Sequence, residues 1–291
     1  MTDFWQARDD FIAHLRGLNR SQHTIDAYGR DVKQFGEFLA KQGISSLEAV
    51  IPDHVSNWMA RLAEKELSGA SRSRKFHALA AFFKFLVTTE RLDRSPTLNL
   101  TAPTVEQREP RVLTTTEVKA LQGVCRDDPR NAAMVEILLQ TGLRVSELVA
   151  LKLDDITWSE PDTVAYLRIE QAKGKKDRRV PLNSRAEKAL KRWIKIRPEV
   201  EYPHVFLSKR GKKPLYSADV RTMLHKYYAQ ATITGATVHT LRHTFCTHHA
   251  AQGTNLVVIQ RAAGHASLTT TQRYLHLVDR LAAQQLEQNA L

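Results

Sequence analysis

Five side chains in this sequence are of the types that could do chemistry together. Arg144 follows Thr141-Gly142-Leu143, and His239 and Arg242 fall within His239-Thr240-Leu241-Arg242-His243. His265 directly follows Gly264, and Tyr274 comes nine positions after that histidine. A guanidinium fork matches the oxygens of a phosphate. A tyrosine hydroxyl can act as a covalent nucleophile, and imidazoles move protons near neutral pH. Two arginines, two histidines and a tyrosine therefore suit chemistry on a phosphodiester. A sixth candidate is Lys173, in the run Lys173-Gly174-Lys175-Lys176-Asp177. There it could reach a phosphate leaving group or simply solvate a basic turn.

Each candidate also has a structural reading. Arg144 could be tied up by Glu147 or Asp154, and Tyr274 could be a packing residue of a C-terminal helix. His239, His243, His248 and His249 could line one helix as a zinc site, but no carboxylate or cysteine constellation accompanies them.

The elements that must hold these groups are mostly helical. In the first hundred residues, Phe4, Phe11, Ile12, Leu15 and Leu18 mark one helix. Ile25, Tyr28, Val32, Phe35, Phe38 and Leu39 mark a second, entered through Asn19-Arg20-Ser21 and closed by Gly43. Asp53 reads as the N-cap of a third helix carrying Val55, Trp58, Met59 and Leu62. A fourth runs from about Ser71 to Thr88 with Phe76, Leu79, Phe82, Phe83 and Leu86 inward. The aromatic stripes read as core. The polar faces carry Arg20, His23, Arg30 and Lys33 beside the second helix, and Arg72, Arg74, Lys75, His77 and Lys84 along the fourth. These are candidates for phosphate contacts, which position a protein on a duplex without reading its sequence.

Between Arg94 and Arg111 the periodicity dissolves among Pro96, Pro103 and Pro110, which marks a domain boundary. Beyond it, Thr114-x-x-Glu117 is a capping box opening a helix, and Asn131 to Gln140 forms another. Gly142 then permits a sharp turn into a helix from Val145 to Ala150, leaving Arg144 at a junction. Residues 164–170 alternate as a strand, with Ala165, Leu167 and Ile169 on one face. Arg179-Val180-Pro181-Leu182 returns after the lysine-rich turn. Helices follow around 184–196 and 217–230. Another presents His239, Arg242 and His243 at i, i+3 and i+4, and ends at Gly253. The next starts near Leu256 and stops at Gly264.

The sequence has 291 residues, with 43 Lys and Arg against 31 Asp and Glu, a net +12 that favours a polyanionic partner, nucleic acid first. Two cysteines, Cys125 and Cys246, make neither a disulfide scaffold nor, unaided, a zinc site. Met1-Thr2-Asp3-Phe4-Trp5 has no basic leader region, and no apolar run approaches the ~20 residues a membrane helix needs. The expectation is a cytoplasmic protein that touches DNA and no membrane.

In its order of motifs the chain resembles the tyrosine recombinase/integrase family, most closely the compact Xer type. The residues that carry the resemblance are Thr-Gly-Leu-Arg144, the Lys173 hairpin, and Leu241-Arg242-His243-Thr244-Phe245-x-Thr247-His248. They end with Gly264-His265-Ala266-Ser267-Leu268-x-Thr270-Thr271-Gln272-x-Tyr274. It departs from the Xer pattern at Ala263, where leucine is usual, at Arg273, where an apolar residue is usual, and in a slightly long hairpin.

The resemblance implies a mainly α fold with an N-terminal four-helix, SAM-like core-binding domain and an α+β catalytic domain with a small sheet. On this reading residues 1–95 bind DNA, 96–112 link, 113–280 catalyse, and 281–291 form a tail that docks on a neighbouring protomer. Tyr274 would attack a scissile phosphate, giving a 3′-phosphotyrosyl bond and a free 5′-hydroxyl. Arg144 and Arg242 would clamp the non-bridging oxygens. Lys173 would protonate the leaving oxygen, His239 would take the proton of Tyr274, and His265 would donate to the phosphate. No metal or other cofactor is implied. The partners implied are double-stranded DNA bearing a specific site and a homo- or heterotetramer on two sites, joined in some systems by a second recombinase or accessory protein. Exchange would pass through a Holliday junction, for dimer resolution or for a mobile element. A type IB topoisomerase would use the same chemistry to relax circles, and a binding-only relative would exchange no strands.

Overall fold

A computed structural model describes residues 3–105, 109–170, 177–265, 267, 268, 270–272, 274 and 278. The chain forms two compact units, residues 1–108 and 109–291. No described helix is long and apolar enough to cross a membrane.

The first unit consists of α1 (Phe4–Gly17), α2 (Gln22–Ala40), α3 (Pro52–Glu64) and α4 (Gly69–Thr88). Their aromatic stripes meet in one core. The Phe35 and Trp58 rings lie 5.2 Å apart, and Phe82 stands 5.5 Å from Phe11. Leu39, Leu79, Phe83 and Leu86 close the centre. Side chains cap three of the four helices: Asp3 accepts from Trp5 and Gln6, Ser21 from Thr24, and Ser68 from Ser71. Two expected boundaries move. α4 begins two residues early, because Ser68 rather than a later residue supplies its cap. Asp53 does not cap α3: Pro52 occupies the first turn, Ile51 stands at the cap position, and its N–H donates to Nδ1 of His54 at 3.2 Å. Leu100 and Ala102, from the proline-punctuated stretch, pack on this core.

The expected basic face of α4 is also revised. Lys75 is turned inward and buried, with its ammonium 2.9 Å from Oδ1 of the buried Asp31 and bonded to Gln34. Arg74 pairs with the other oxygen of Asp31. A buried ammonium needs such partners, so Lys75 is unavailable for phosphate. Arg20, His23, Arg30, Lys33, Arg74, His77 and Lys84 are exposed.

The second unit contains α5 (Thr115–Cys125), α6 (Pro129–Thr141) and α7 (Val145–Ala150), then a three-stranded antiparallel sheet. The sheet is β1 (Ile156–Thr157), β2 (Ala165–Ile169) and β3 (Arg178–Leu182), and it is followed by α8 (Ser184–Ile194), α9 (Ser217–Gln230), α10 (Val238–Ala251) and α11 (Leu256–Ala263). The capping box of α5 forms as read, with Glu117 and Thr114 bonded reciprocally. Ala165, Leu167 and Ile169 face the core from β2, in register with Leu182, Val180 and Arg178. α6 is buried on most of its faces and packs against α5, α8 and α10. It is the central helix of this unit, and the reactive residues gather at its C-terminal end.

Candidate active site

The site begins where α6 stops. Gly142 terminates the helix at φ +64°, a conformation that favours glycine. A side chain there would run into the Phe245 ring. The turn delivers Arg144 to the head of α7, as its sequence position implied. Its backbone N–H donates to Glu147 Oε2 at 2.8 Å, its Nη1 to Glu147 Oε1 at 3.0 Å, and its Nη2 to the Gly264 carbonyl at 2.6 Å. The pairing with Glu147 therefore exists, but it takes only part of a five-donor guanidinium whose side chain is 40% exposed.

Glu147 also receives a bidentate fork from Arg178 of β3, at 3.0 and 2.8 Å, and Arg178 Nε donates to the Ala262 carbonyl at 3.1 Å. Burial alone would raise the Glu147 carboxyl. The hydrogen bonds from Arg178 and from the Arg144 amide, with both positive charges, hold it below the usual range. At the other end of this brace, Gly264 ends α11 at φ +68°, and a Cβ there would lie 2.7 Å from the Arg178 guanidinium carbon.

Arg242 rises from α10 and is only 6% exposed. Its Nη1 donates to the Gly142 carbonyl at 2.7 Å and to the Ala263 carbonyl. Burial, then the neighbouring Arg144, lowers its pKa to about 10, which leaves it charged at neutral pH. His239 is exposed at the head of α10. Its imidazole is held below the usual range by desolvation and by Arg242, Arg221 and Arg144. His265 is pushed down to about 4, by burial first and then by Arg242, Arg144, His243 and Arg178, so it is neutral at pH 7. Its Nδ1 meets Thr271 Oγ1 at 2.8 Å. If the hydroxyl donates there, Nε2 carries the ring proton and is a donor.

Tyr274 is 1% exposed and packs with Phe245, Cys246, Ile259 and Ala263. Its ring lies parallel to that of His265, at 12° with centroids 6.1 Å apart. Its hydroxyl stands 2.8 Å from Nδ1 of His243. Cys246 is turned to the same hydroxyl. Burial raises its thiol to about 11, against smaller opposite effects of Arg242 and Tyr274, so the thiol stays protonated.

Five of the six candidates thus lie in one cluster: Arg144, His239, Arg242, His265 and Tyr274. Lys173 falls in 171–176, outside the described residues. Glu147, Arg178 and His243 were not read as site residues. The sequence signals were the Arg144-x-x-Glu147 spacing and the i, i+4 spacing of His239 and His243; nothing local marked Arg178.

The model of the phage integrase family matches residues 111–280, and that of the phage integrase N-terminal SAM-like domain matches residues 9–90. A tyrosine recombinase of Pseudothermotoga lettingae is 34% identical over 93% of this chain and 92% of its own length. Tyrosine recombinase XerC of Halalkalibacterium halodurans is 35% identical over 93% of each. Among solved structures, XerA recombinase covers 98% of this chain and 99% of its own, at 29% identity and a TM-score of 0.56. XerH bound to a palindromic difH substrate shares the fold at 23% identity, with a TM-score of 0.77 over 92% of this chain and 80% of its own. A lambda integrase tetramer bound to a Holliday junction shares it at 19%, with a TM-score of 0.76 over 92% and 79%.

A helical SAM-like unit followed by an integrase-type catalytic unit defines a DNA breaking-and-rejoining enzyme of the tyrosine type. The chain belongs to the phage integrase family, as a Xer-like tyrosine recombinase.

Proposed function

We propose that this chain is a site-specific recombinase that cuts and rejoins DNA through Tyr274. One observation supports this reading above the others. The carbonyls of Gly142, Ala263 and Gly264 hold Arg242 and Arg144 side by side, so that motifs 120 residues apart in sequence present two cations beside one tyrosine. Two guanidiniums at one point match the non-bridging oxygens of a phosphate and the charge that grows on them in the transition state. The Tyr274 oxygen bonds to phosphorus and the 5′-oxygen leaves, so the bond energy is kept in a 3′-phosphotyrosyl link. Lys173, Arg144, Arg242, His239 and His265 take the roles expected of them, with Lys173 as the acid. The arginines supply positive charge that divalent ions supply to other phosphoryl-transfer enzymes.

The partner is duplex DNA with a specific site, gripped through the exposed basic faces of α2 and α4. The protein works in the cytoplasm as a homo- or heterotetramer on two sites through a Holliday junction, for dimer resolution or for a mobile element. The segment 281–291, outside the described residues, docks on a neighbouring protomer. The test is a duplex nicked beside a candidate site, incubated with wild type and Tyr274→Phe in EDTA. The expected result is an SDS-resistant adduct that needs Tyr274 and no divalent ion. An adduct retained by the phenylalanine variant, or lost in EDTA, would sink the assignment.

A further inference from the structure

We propose that Arg178 is a positioning residue for this reaction, which aims Arg144 at the scissile phosphate without touching the phosphate itself. The role rests on the cleavage proposed above and adds a residue that no motif in the sequence assigns. Arg144 leans on two groups with its side chain, the Glu147 carboxylate and the Gly264 carbonyl. Arg178 fixes both of them. Its Nη1 and Nη2 fork onto the two oxygens of Glu147 at 3.0 and 2.8 Å. Its Nε donates at 3.1 Å to the carbonyl of Ala262, on the turn of α11 that ends in Gly264. That turn closes on the guanidinium so tightly that a Cβ at Gly264 would stand 2.7 Å from its central carbon.

Burial divides the work between the two arginines. The Arg178 side chain is 10% exposed, and each of its three nitrogens is engaged. The Arg144 side chain is 40% exposed. An incoming phosphate therefore meets Arg144, and Arg178 stands behind it. Three segments distant in sequence, α7, β3 and the end of α11, meet on this one guanidinium. A lysine cannot take its place. An ammonium is a point charge, without the planar fork that meets a carboxylate with two nitrogens while a third holds a carbonyl. An aimed clamp matters most in the transition state, where charge on the non-bridging oxygens is greatest, so an error of aim costs rate more than binding.

The experiment uses the full chain on the nicked duplex, in single turnovers at saturating protein. One duplex carries the natural scissile phosphate. The other carries a methylphosphonate there, in which a methyl group replaces one non-bridging oxygen and removes the charge. Arg178→Ala should slow the Tyr274 adduct on the natural phosphate by roughly tenfold or more, while affinity for the duplex stays near wild type. On the methylphosphonate, where less charge needs a clamp, most of that defect should disappear. Arg178→Lys should resemble the alanine variant. Adding Arg178→Ala to Arg144→Ala should slow the adduct no further, because the role runs through Arg144. Melting temperature reports whether each variant is folded. If the alanine variant does not fold, Arg178→Lys, alone and combined with Arg144→Ala, carries the same comparisons.

An Arg178→Ala chain with the wild-type rate overturns the role. So does equal slowing on the two duplexes, or a further loss in the double variant, since either marks a part in folding alone. Recovery of the rate by lysine overturns it too, because charge and not the fork would then be at work. Absence of any Tyr274-dependent adduct from wild type overturns the proposed function and this role with it. A Tyr274-dependent adduct indifferent to Arg178 overturns this role alone.

Discussion

The two units bury charge in opposite ways. In the first, Asp31 is 2% exposed and is met by Lys75 at 2.9 Å and by Arg74. Gln34 takes another proton of the Lys75 ammonium, whose charge also lies 5.8 Å from the centre of the Trp58 ring. The cluster ties α2 to α4 and is satisfied from within. In the second, Arg144 and Arg178 bond to the carboxylate of Glu147, and the bonds given by Arg242 go to backbone carbonyls. A carbonyl satisfies a donor without cancelling its charge. Hydrogen bonds satisfy the first cluster from within, and the second retains positive charge, as the proposed phosphate clamp requires. The same residue types thus make a girder in one unit and a cationic cluster in the other: each has one carboxylate, set against two cations in the first and three in the second.

Removing the carboxylate from each cluster should break the comparison most strongly. Asp31→Asn and Glu147→Gln each leave buried cations short of their counter-charge, and each should cost about 3 kcal/mol in unfolding by denaturant. Their functional consequences should part. At saturating DNA the adduct rate of Asp31→Asn should stay near wild type, because that cluster touches no reacting group. Glu147→Gln should slow the adduct about tenfold or more, because Arg144 and Arg178 lose the brace that aims them. Equal effects on rate would mean that both clusters are structural. Acid should expose the same brace. The folded carboxyl of Glu147 lies below its unfolded value, so its stabilisation is complete above the unfolded pKa and is lost as pH falls through the folded one.

The excess of positive charge also has a pH signature of its own. His265 is held at about 4 in the folded chain, against an ordinary 6.5. Below 6.5 the unfolded chain takes up a proton that the folded chain refuses, so stability should fall as pH drops from 6.5 towards 4. The size is at most on the order of 3 kcal/mol over that window, at about 1.4 kcal/mol for each pH unit, and less where solvent screens the half-buried ring. His265→Gln should flatten that slope. A wild-type slope that survives the substitution would assign the titration to another group.

Much of this was legible beforehand, and the exceptions have physical reasons. Helices α2, α6 and α10 follow from apolar spacing, caps and terminal glycines, and Arg144 was placed at its junction by Gly142 alone. β1 is two residues long, too short for any alternation to show. Lys75 was misread because its charge was weighed and its position was not: 75, 79, 82 and 86 fall on one helical stripe, whose other members are Leu79, Phe82 and Leu86. A lysine inside such a stripe calls for a buried carboxylate, and Asp31 lies 44 residues away where no local pattern points to it. Glu147 was visible by its spacing from Arg144, but its brace depends on Arg178, which only the folded chain brings to it.

The smallest expected effect tests the caps, where local chemistry was read with mixed success. Ser68 accepts from the Ser71 amide at 3.3 Å at the start of α4, so Ser68→Ala should cost about 1 kcal/mol. Asp53 lies inside the first turn of α3, behind Pro52, and contributes only its charge near the helix N-terminus. Asp53→Ala should therefore cost a few tenths of a kcal/mol, an effect that salt weakens. Chemical unfolding of both variants at low and high ionic strength separates the two. A loss of ~1 kcal/mol at Asp53 that salt leaves untouched would return the cap to Asp53 and move the start of α3 by two residues. The basic face of the neighbouring α4 would be unaffected, because its own start is fixed by Ser68.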